Sequence, residues 1–300
     1  MHPAPSLILF TVLSGLGFGL IAWTGLGLGP AGIWYAWTVS VASGALVAGG
    51  LGASALHLRR PDRAWRAFSQ WRSSWLSREA VLAAATSAVF GAYALTWIVT
   101  GTRLAALGLL SALLAAATVL ATAMIYTQLR TVPRWHTPLT PLSFLAFAAT
   151  GGLLAVLSLS GAASRPLTLL ALALLATAAA LKAAWWHRAN ATRRPSPEAT
   201  TALGALGTVR QFEPPHTGRN YLQDEMIFRL ARRRATAVRR LAAGLGAALP
   251  ALLLALLAAV PATPGLAPAA LLSHLAGLLF ERWLFFAEAE HAVGAYYGHR

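Results

Sequence analysis

Cysteine is absent from the 300 residues. Disulfides, iron–sulfur clusters bound by this chain and thiolate zinc sites are therefore excluded. Charge is scarce: Asp, Glu, Lys and Arg together make up 11% of the chain, against about a quarter in a soluble domain. A chain this long and this poor in charge cannot coat a water-facing surface, which argues against a soluble enzyme. Acidic residues are scarcest of all, nine against 24 Lys and Arg, for a formal charge of +15. Such an excess would suggest nucleic acid in a soluble protein. In a membrane protein it reports orientation and anionic headgroups. No Walker A loop, H-E-x-x-H or G-x-S-x-G pattern occurs.

What the chain has is length of apolar sequence. Hydrophobic residues reach 57% and the mean hydropathy is +0.60. A hydrocarbon core about 30 Å thick needs roughly 20 apolar residues per helix. Eight stretches qualify: Ser6–Thr24, Thr38–Leu58, Glu79–Thr100, Leu104–Gln128, Leu142–Ser160, Leu167–His187, Ala237–Val260 and Leu266–Phe286. They are long, continuous and rich in Ala and Leu, which predicts an all-α polytopic bundle in a single integral membrane domain, residues 1–300. The first stretch lacks a basic n-region and a clear A-x-A site, so it reads as a retained helix and not a signal peptide. Gly15, Gly17 and Gly19 follow no strand and cannot form a dinucleotide loop. Gly15 and Gly19 suit small-xxx-small helix packing.

The connections alternate in charge. The stretch Arg59–Arg78 holds six Arg, and Lys182–Arg240 holds twelve Lys or Arg. In all, 22 of the 24 basic residues fall on one side of the predicted bundle, and Arg103 and Arg165 on the other. All nine acids fall on the basic side or its helix ends. The positive-inside rule then places both termini and the large loops in the cytoplasm. Trp23, Trp34, Trp37 and Trp97 suit an outer aromatic belt. Trp65, Trp71, Trp75, Trp135, Trp185, Trp186 and Trp283 suit an inner one or its loops. The longest loop, 189–236, is broken by prolines in its first half. Its second half, Tyr221–Arg240, reads as a basic helix with two roles open to it, headgroup binding or docking of a soluble partner.

Candidate chemistry clusters at the basic side. His57 ends the second predicted span and Glu79 opens the third, at about the same depth. A His and a partly desolvated carboxylate there could exchange protons with a quinone headgroup. The bland alternative is a snorkelling His57 and a Glu79 that favours the helix dipole, with Ser77 as N-cap. Between them, Trp65–Arg78 mixes aromatics with arginines and reads as an interfacial lid whose Arg side chains meet a partner. Glu281 and Glu288 share a helix face, with His291 three residues beyond Glu288; a metal site or a polar helix end packing on the loops both answer to that spacing. His274 lies inside an apolar run and would serve a b-type haem if a second His faced it.

Three segments carry a resemblance: His57-Leu58-Arg59-Arg60-Pro61-Asp62-Arg63-Ala64-Trp65 through Trp75-Leu76-Ser77-Arg78-Glu79, Thr217-Gly218-Arg219-Asn220-Tyr221, and Glu281-Arg282-Trp283-Leu284-Phe285-Phe286-Ala287-Glu288-Ala289. On these the chain resembles the membrane-anchor subunits of the dimethyl sulfoxide reductase family. Its inward basic face is similar to that of the cytoplasmic-facing, quinone-linked sulfite dehydrogenase members. The resemblance implies an anchor that binds quinone and carries no haem or cluster of its own. It implies an Fe–S partner subunit and a molybdopterin catalytic subunit. It maps quinone binding onto His57 and Glu79. Trp71, Trp75 and Arg78 are expected to close that pocket, and Arg66, Arg72, Arg219, Tyr221 and Arg229 to face the Fe–S subunit. A quinol-oxidising anchor of the dimethyl sulfoxide reductase type is the near alternative. A transporter is the distant one, disfavoured because few ionisable residues lie mid-membrane and no span is clearly broken by proline at its centre.

Overall fold

The computed structural model describes residues 3–56, 58, 60–161, 164–192, 196–210, 212–213, 230–261, 263 and 265–292. Helices dominate, and no strand occurs among the described residues. In chain order they are α1 (Pro5–Gly25), α2 (Ile33–Ala55), α3 (Trp75–Thr100), α4 (Ala105–Thr127), α5 (Leu139–Leu159), α6 (Arg165–Ala191), the short α7 (Pro197–Thr201), α8 (Leu230–Ala243), α9 (Leu249–Ala259) and α10 (Leu266–Ala287). A π-helical turn, Gly244–Ala248, joins α8 to α9, so the seventh span runs Arg234–Ala259 as one element. Eight helices are long and apolar enough to cross a membrane, and the all-α polytopic expectation holds.

Helix α1 is the hub. It packs against α2, α4, α5 and α10, and its glycines set how closely. A Cβ on Gly19 would strike the backbone carbonyl of Ala148 on α5, and one on Gly152 would strike Gly19 in return. Gly25 and Gly108 meet in the same way between α1 and α4. Without a hydrophobic drive between helices in lipid, close backbone approach supplies the dispersion contact that holds spans together. The expected partner role of Gly15 fails: nothing lies within 4 Å of its would-be Cβ. The packing pair is Gly19 with Gly152 on α5.

At the sparsely charged end, Arg103 is spent on structure. Its guanidinium donates to the carbonyls of Gly27 (2.7 Å), Gly29 (3.1 Å) and Pro30, and it stacks over Trp97 at 4.0 Å. It thereby closes the α1–α2 turn, where Gly27 and Gly29 carry positive φ. Trp97 is itself buried and donates to the Ala31 carbonyl at 3.0 Å, so it belongs to the bundle and not to a belt. At the other end Trp185 is inside the bundle too, and Trp135 lies in the α4–α5 loop, one of the two places expected for it, but is buried there. Trp135 donates to the Phe285 carbonyl at 2.9 Å; Trp185 donates to Thr140 Oγ1 at 3.1 Å. Both join an aromatic cluster with Tyr126, Phe144 and Phe285. An indole N–H that finds an acceptor can be buried, and these do.

The seventh span departs from the expectation of unbroken helices. Pro250 has no N–H for the carbonyl of Gly246, four residues earlier. The π turn at Gly244–Ala248 is the local consequence. The freed carbonyls are taken by α10: His274 Nδ1 donates to Gly246 O at 2.7 Å, and Ser273 Oγ to Leu245 O at 2.7 Å. Gly277 lets α10 lie directly on the turn, since a Cβ there would meet Gly246. Irregular backbone in a span is tolerated where protein groups satisfy it in this way.

Candidate functional site

Helix α3 begins at Trp75, not at Glu79. Its N-cap is Ser74 in extended conformation, and Ser77 lies inside the helix and buried. Glu79 is therefore beyond the first turn, where the helix dipole fades. The side chain turns inward. Glu79 is 5% exposed, and Thr122 on α4 donates a hydrogen bond to its Oε1. Thr118 and Thr86 continue the polar seam between α3 and α4, hydroxyl to hydroxyl at 3.0 Å. A carboxyl held by one neutral hydroxyl at a helix–helix interface is placed to take up and release a proton.

Its neighbour Arg78 points elsewhere. Its guanidinium donates to the Trp71 carbonyl (3.0 Å) and the Arg72 carbonyl (2.7 Å), and lies 4.4 Å from the Trp75 ring. Arg78, Trp71 and Trp75 thus form one cluster that fixes the loop before α3. Trp71 is 52% exposed. Arg66 and Arg72 lie over Trp65 and Trp71 at 5.6 and 5.2 Å and are exposed. Beside them, the Arg60 guanidinium, 3.0 Å from Asp62, holds the Asp62 carboxyl below the ordinary carboxylate range. His57, Arg219, Tyr221 and Arg229 lie outside the described residues. Of the expected quinone set, the structure brings Trp71, Trp75 and Arg78 together and sets Glu79 apart from them, against α4.

A second group of charges was not expected as a site. Lys182 on α6 lies 2.5 Å from Glu281 Oε1 on α10, and Arg282 Nε donates to Glu281 Oε2. All three side chains are 4–5% exposed. The Arg282 guanidinium lies over the Phe144 ring (4.2 Å) and the Phe285 ring (4.7 Å). Two turns further, Glu288 accepts from Arg134 (3.5 Å) and Arg239 (2.9 Å), which ties the helix end to two neighbouring segments. The polar-helix-end reading therefore describes Glu288. Among the described residues no three His, Asp or Glu converge on a metal position. Lys182 could have been picked out from its place inside the Leu167–His187 run, where an ionisable residue needs a partner.

Two cavities lie beside these charges, with Phe147 and Leu278 lining both. One, about 30 Å³, is lined by Thr11, Ser14, Thr122, Phe144 and Arg282, so it adjoins the hydroxyl that holds Glu79. It has room for a water and little more. The other, about 140 Å³, is lined by Lys182, Trp186, Gly246, His274 and Glu281. A b-type haem does not fit there. The cavity is too small for the macrocycle, and among the described residues no second His lines it to complete an axial pair with His274.

Comparison with known proteins gives this geometry its context. A family model for the DMSO reductase anchor subunit (DmsC) matches residues 1–287. A sulfite dehydrogenase subunit of Allochromatium vinosum is 33% identical over 99% of this chain and 99% of its own. No solved structure matches. The chain, a multi-pass membrane protein built on eight apolar helices, belongs to the DMSO reductase anchor subunit family.

Proposed function

We propose that this chain is the quinone-reactive anchor of a three-subunit molybdoenzyme that oxidises sulfite. Its likeness to a sulfite dehydrogenase subunit, along the whole of both chains, carries the reading. The basic loops, 22 of 24 Lys and Arg, would lie in the cytoplasm of a bacterial inner membrane and seat the partner subunits. A molybdopterin subunit and an Fe–S subunit supply the electrons. This chain has no cysteine with which to hold an Fe–S cluster of its own.

Reduction of a quinone to a quinol takes two electrons and two protons. The proposed role of His57 is a hydrogen bond to one quinone oxygen. The proposed role of Glu79 is proton delivery. Its buried carboxyl, bonded at one oxygen by Thr122, supports that role, as does the small cavity that Thr122 lines together with Thr11, Ser14 and Arg282. Arg78 keeps the Trp71–Trp75 loop closed over the helix start, and Arg66 and Arg72 stay outward for the Fe–S subunit.

Affinity purification of the tagged chain from its native host tests the assignment. The expected result is a complex that contains molybdenum and reduces a quinone analogue with sulfite. A complex that oxidises quinol with dimethyl sulfoxide, and is inert to sulfite, would replace the reading with the reductase one.

A further inference from the structure

The 140 Å³ cavity between α6, the π turn and α10 holds two polar atoms that the fold leaves unused. His274 is fully buried, and its Nδ1 proton is given to the Gly246 carbonyl. Its Nε2 is then a bare acceptor, and it is buried with no partner. Trp186 Nε1, a donor only, is likewise buried without a partner. Both residues line the cavity. A buried donor and a buried acceptor left unpaired are costly, and both are satisfied by a ligand bearing one hydroxyl and one further oxygen.

The surroundings narrow the ligand. Phe147, Leu175, Ala178 and Leu278 make most of the wall apolar. The Lys182–Glu281 pair neutralises itself at 2.5 Å, which favours a neutral guest over a phosphate headgroup. The lining residues Ala183 and Ala243 are exposed on the flanks of α6 and α8. The entrance therefore opens sideways between two spans, where lipid-soluble molecules arrive. The volume is below the ~300–1,000 Å³ that encloses a drug-sized ligand, so one ring enters and a tail stays outside.

We propose that this cavity is a second quinol site, with a quinol hydroxyl donating to His274 Nε2 and the ring's other oxygen accepting from Trp186 Nε1. Neither Glu79 nor Thr122 lines it, and it shares only Phe147 and Leu278 with the smaller cavity beside Thr122. The choice of a quinol rests on the reading of this chain as quinone-reactive; the site itself does not use His57 or Glu79. Because an oxidised quinone has no proton for Nε2, the reduced form binds better here.

Anaerobic equilibrium dialysis of the purified complex against a labelled short-chain ubiquinol tests this. Two sites per chain are expected. Trp186→Phe, which keeps the ring and removes the N–H, weakens one site about tenfold, the scale of one lost hydrogen bond. Ala183→Leu, at the exposed mouth, weakens the same site, and Glu79→Gln leaves it unchanged. The oxidised analogue binds this site more weakly than the quinol. A single site sensitive to Glu79→Gln alone overturns the cavity and keeps the earlier reading. A single site sensitive to Trp186→Phe and Ala183→Leu alone keeps the cavity and removes Glu79. No binding overturns both, as do isotherms that superimpose for all three variants.

Discussion

Replacing Lys182 by Met removes one arm of the buried charge triad, and the order of costs within that triad is a sharp consequence of its geometry. Lys182 Nζ and Glu281 Oε1 are 2.5 Å apart, with both side chains at 5% exposure or less. Breaking one partner out of a buried pair costs about 3–5 kcal/mol. Arg282 still holds Glu281 Oε2 in the Met variant, so the carboxylate keeps a cation. The expected loss is about 3 kcal/mol, the lower end of that range, or roughly a hundredfold in the folding constant. Glu281→Gln is worse. It leaves Lys182 and Arg282 buried as two cations with no carboxylate between them, and about 5 kcal/mol is expected. The double variant does not recover, because Arg282 remains uncompensated. Reversible unfolding in mixed micelles with increasing dodecyl sulfate measures all three. A Lys182→Met variant that costs as much as Glu281→Gln, or both variants within about 0.5 kcal/mol of the native chain, the scatter of an ordinary surface substitution, would refute the triad.

Other consequences follow from named contacts. Gly19→Leu drives side-chain atoms into the Ala148 carbonyl and Gly152, and is expected to cost at least ~1–3 kcal/mol from overpacking. Gly15→Ala, with open space at its Cβ, is expected to be near neutral in the same assay. Pro250→Ala returns an N–H to compete for the Gly246 carbonyl. Replacing His274 should then cost less than in the native chain, with a coupling of at least ~0.5 kcal/mol in a double-mutant cycle. Arg78→Ala releases the Trp71 and Arg72 carbonyls, and faster proteolytic cutting between residues 69 and 75 is expected in vesicles open at that side. A reporter fused after Arg300 is expected to behave as cytoplasmic; a periplasmic signal would reverse the docking side.

The spans were legible because twenty apolar residues in a row admit few structures. Their ends moved where local chemistry intervened. Helix α3 starts four residues before Glu79, where Ser74 is extended as its N-cap, and Arg78 folds back on the preceding loop. The break at Pro250 was visible as a residue, but its effect was not. It depends on His274 and Ser273 arriving from another helix to take the carbonyls. Trp97, expected in a belt, and Trp135 and Trp185, expected in a belt or its loops, are buried because each finds an acceptor inside. The acid of the candidate site was legible as a residue type at a depth. Its inward turn onto Thr122 was not, because nothing local in the sequence says which face of α3 meets α4. Lys182 and Glu281 lie 99 positions apart, so their pairing became visible only where α6 and α10 place both side chains on one shared cavity.

The most direct measurement compares two rates in the purified complex: sulfite oxidation with a quinone analogue and with an artificial acceptor that bypasses the membrane subunit. His57→Ala and Glu79→Gln are expected to lower the first at least tenfold, approaching the low end of the ~10²–10⁴-fold supplied by a positioned proton-transfer group, and to leave the second unchanged. Equal rates to the native complex with the quinone analogue, in both variants, would contradict the account.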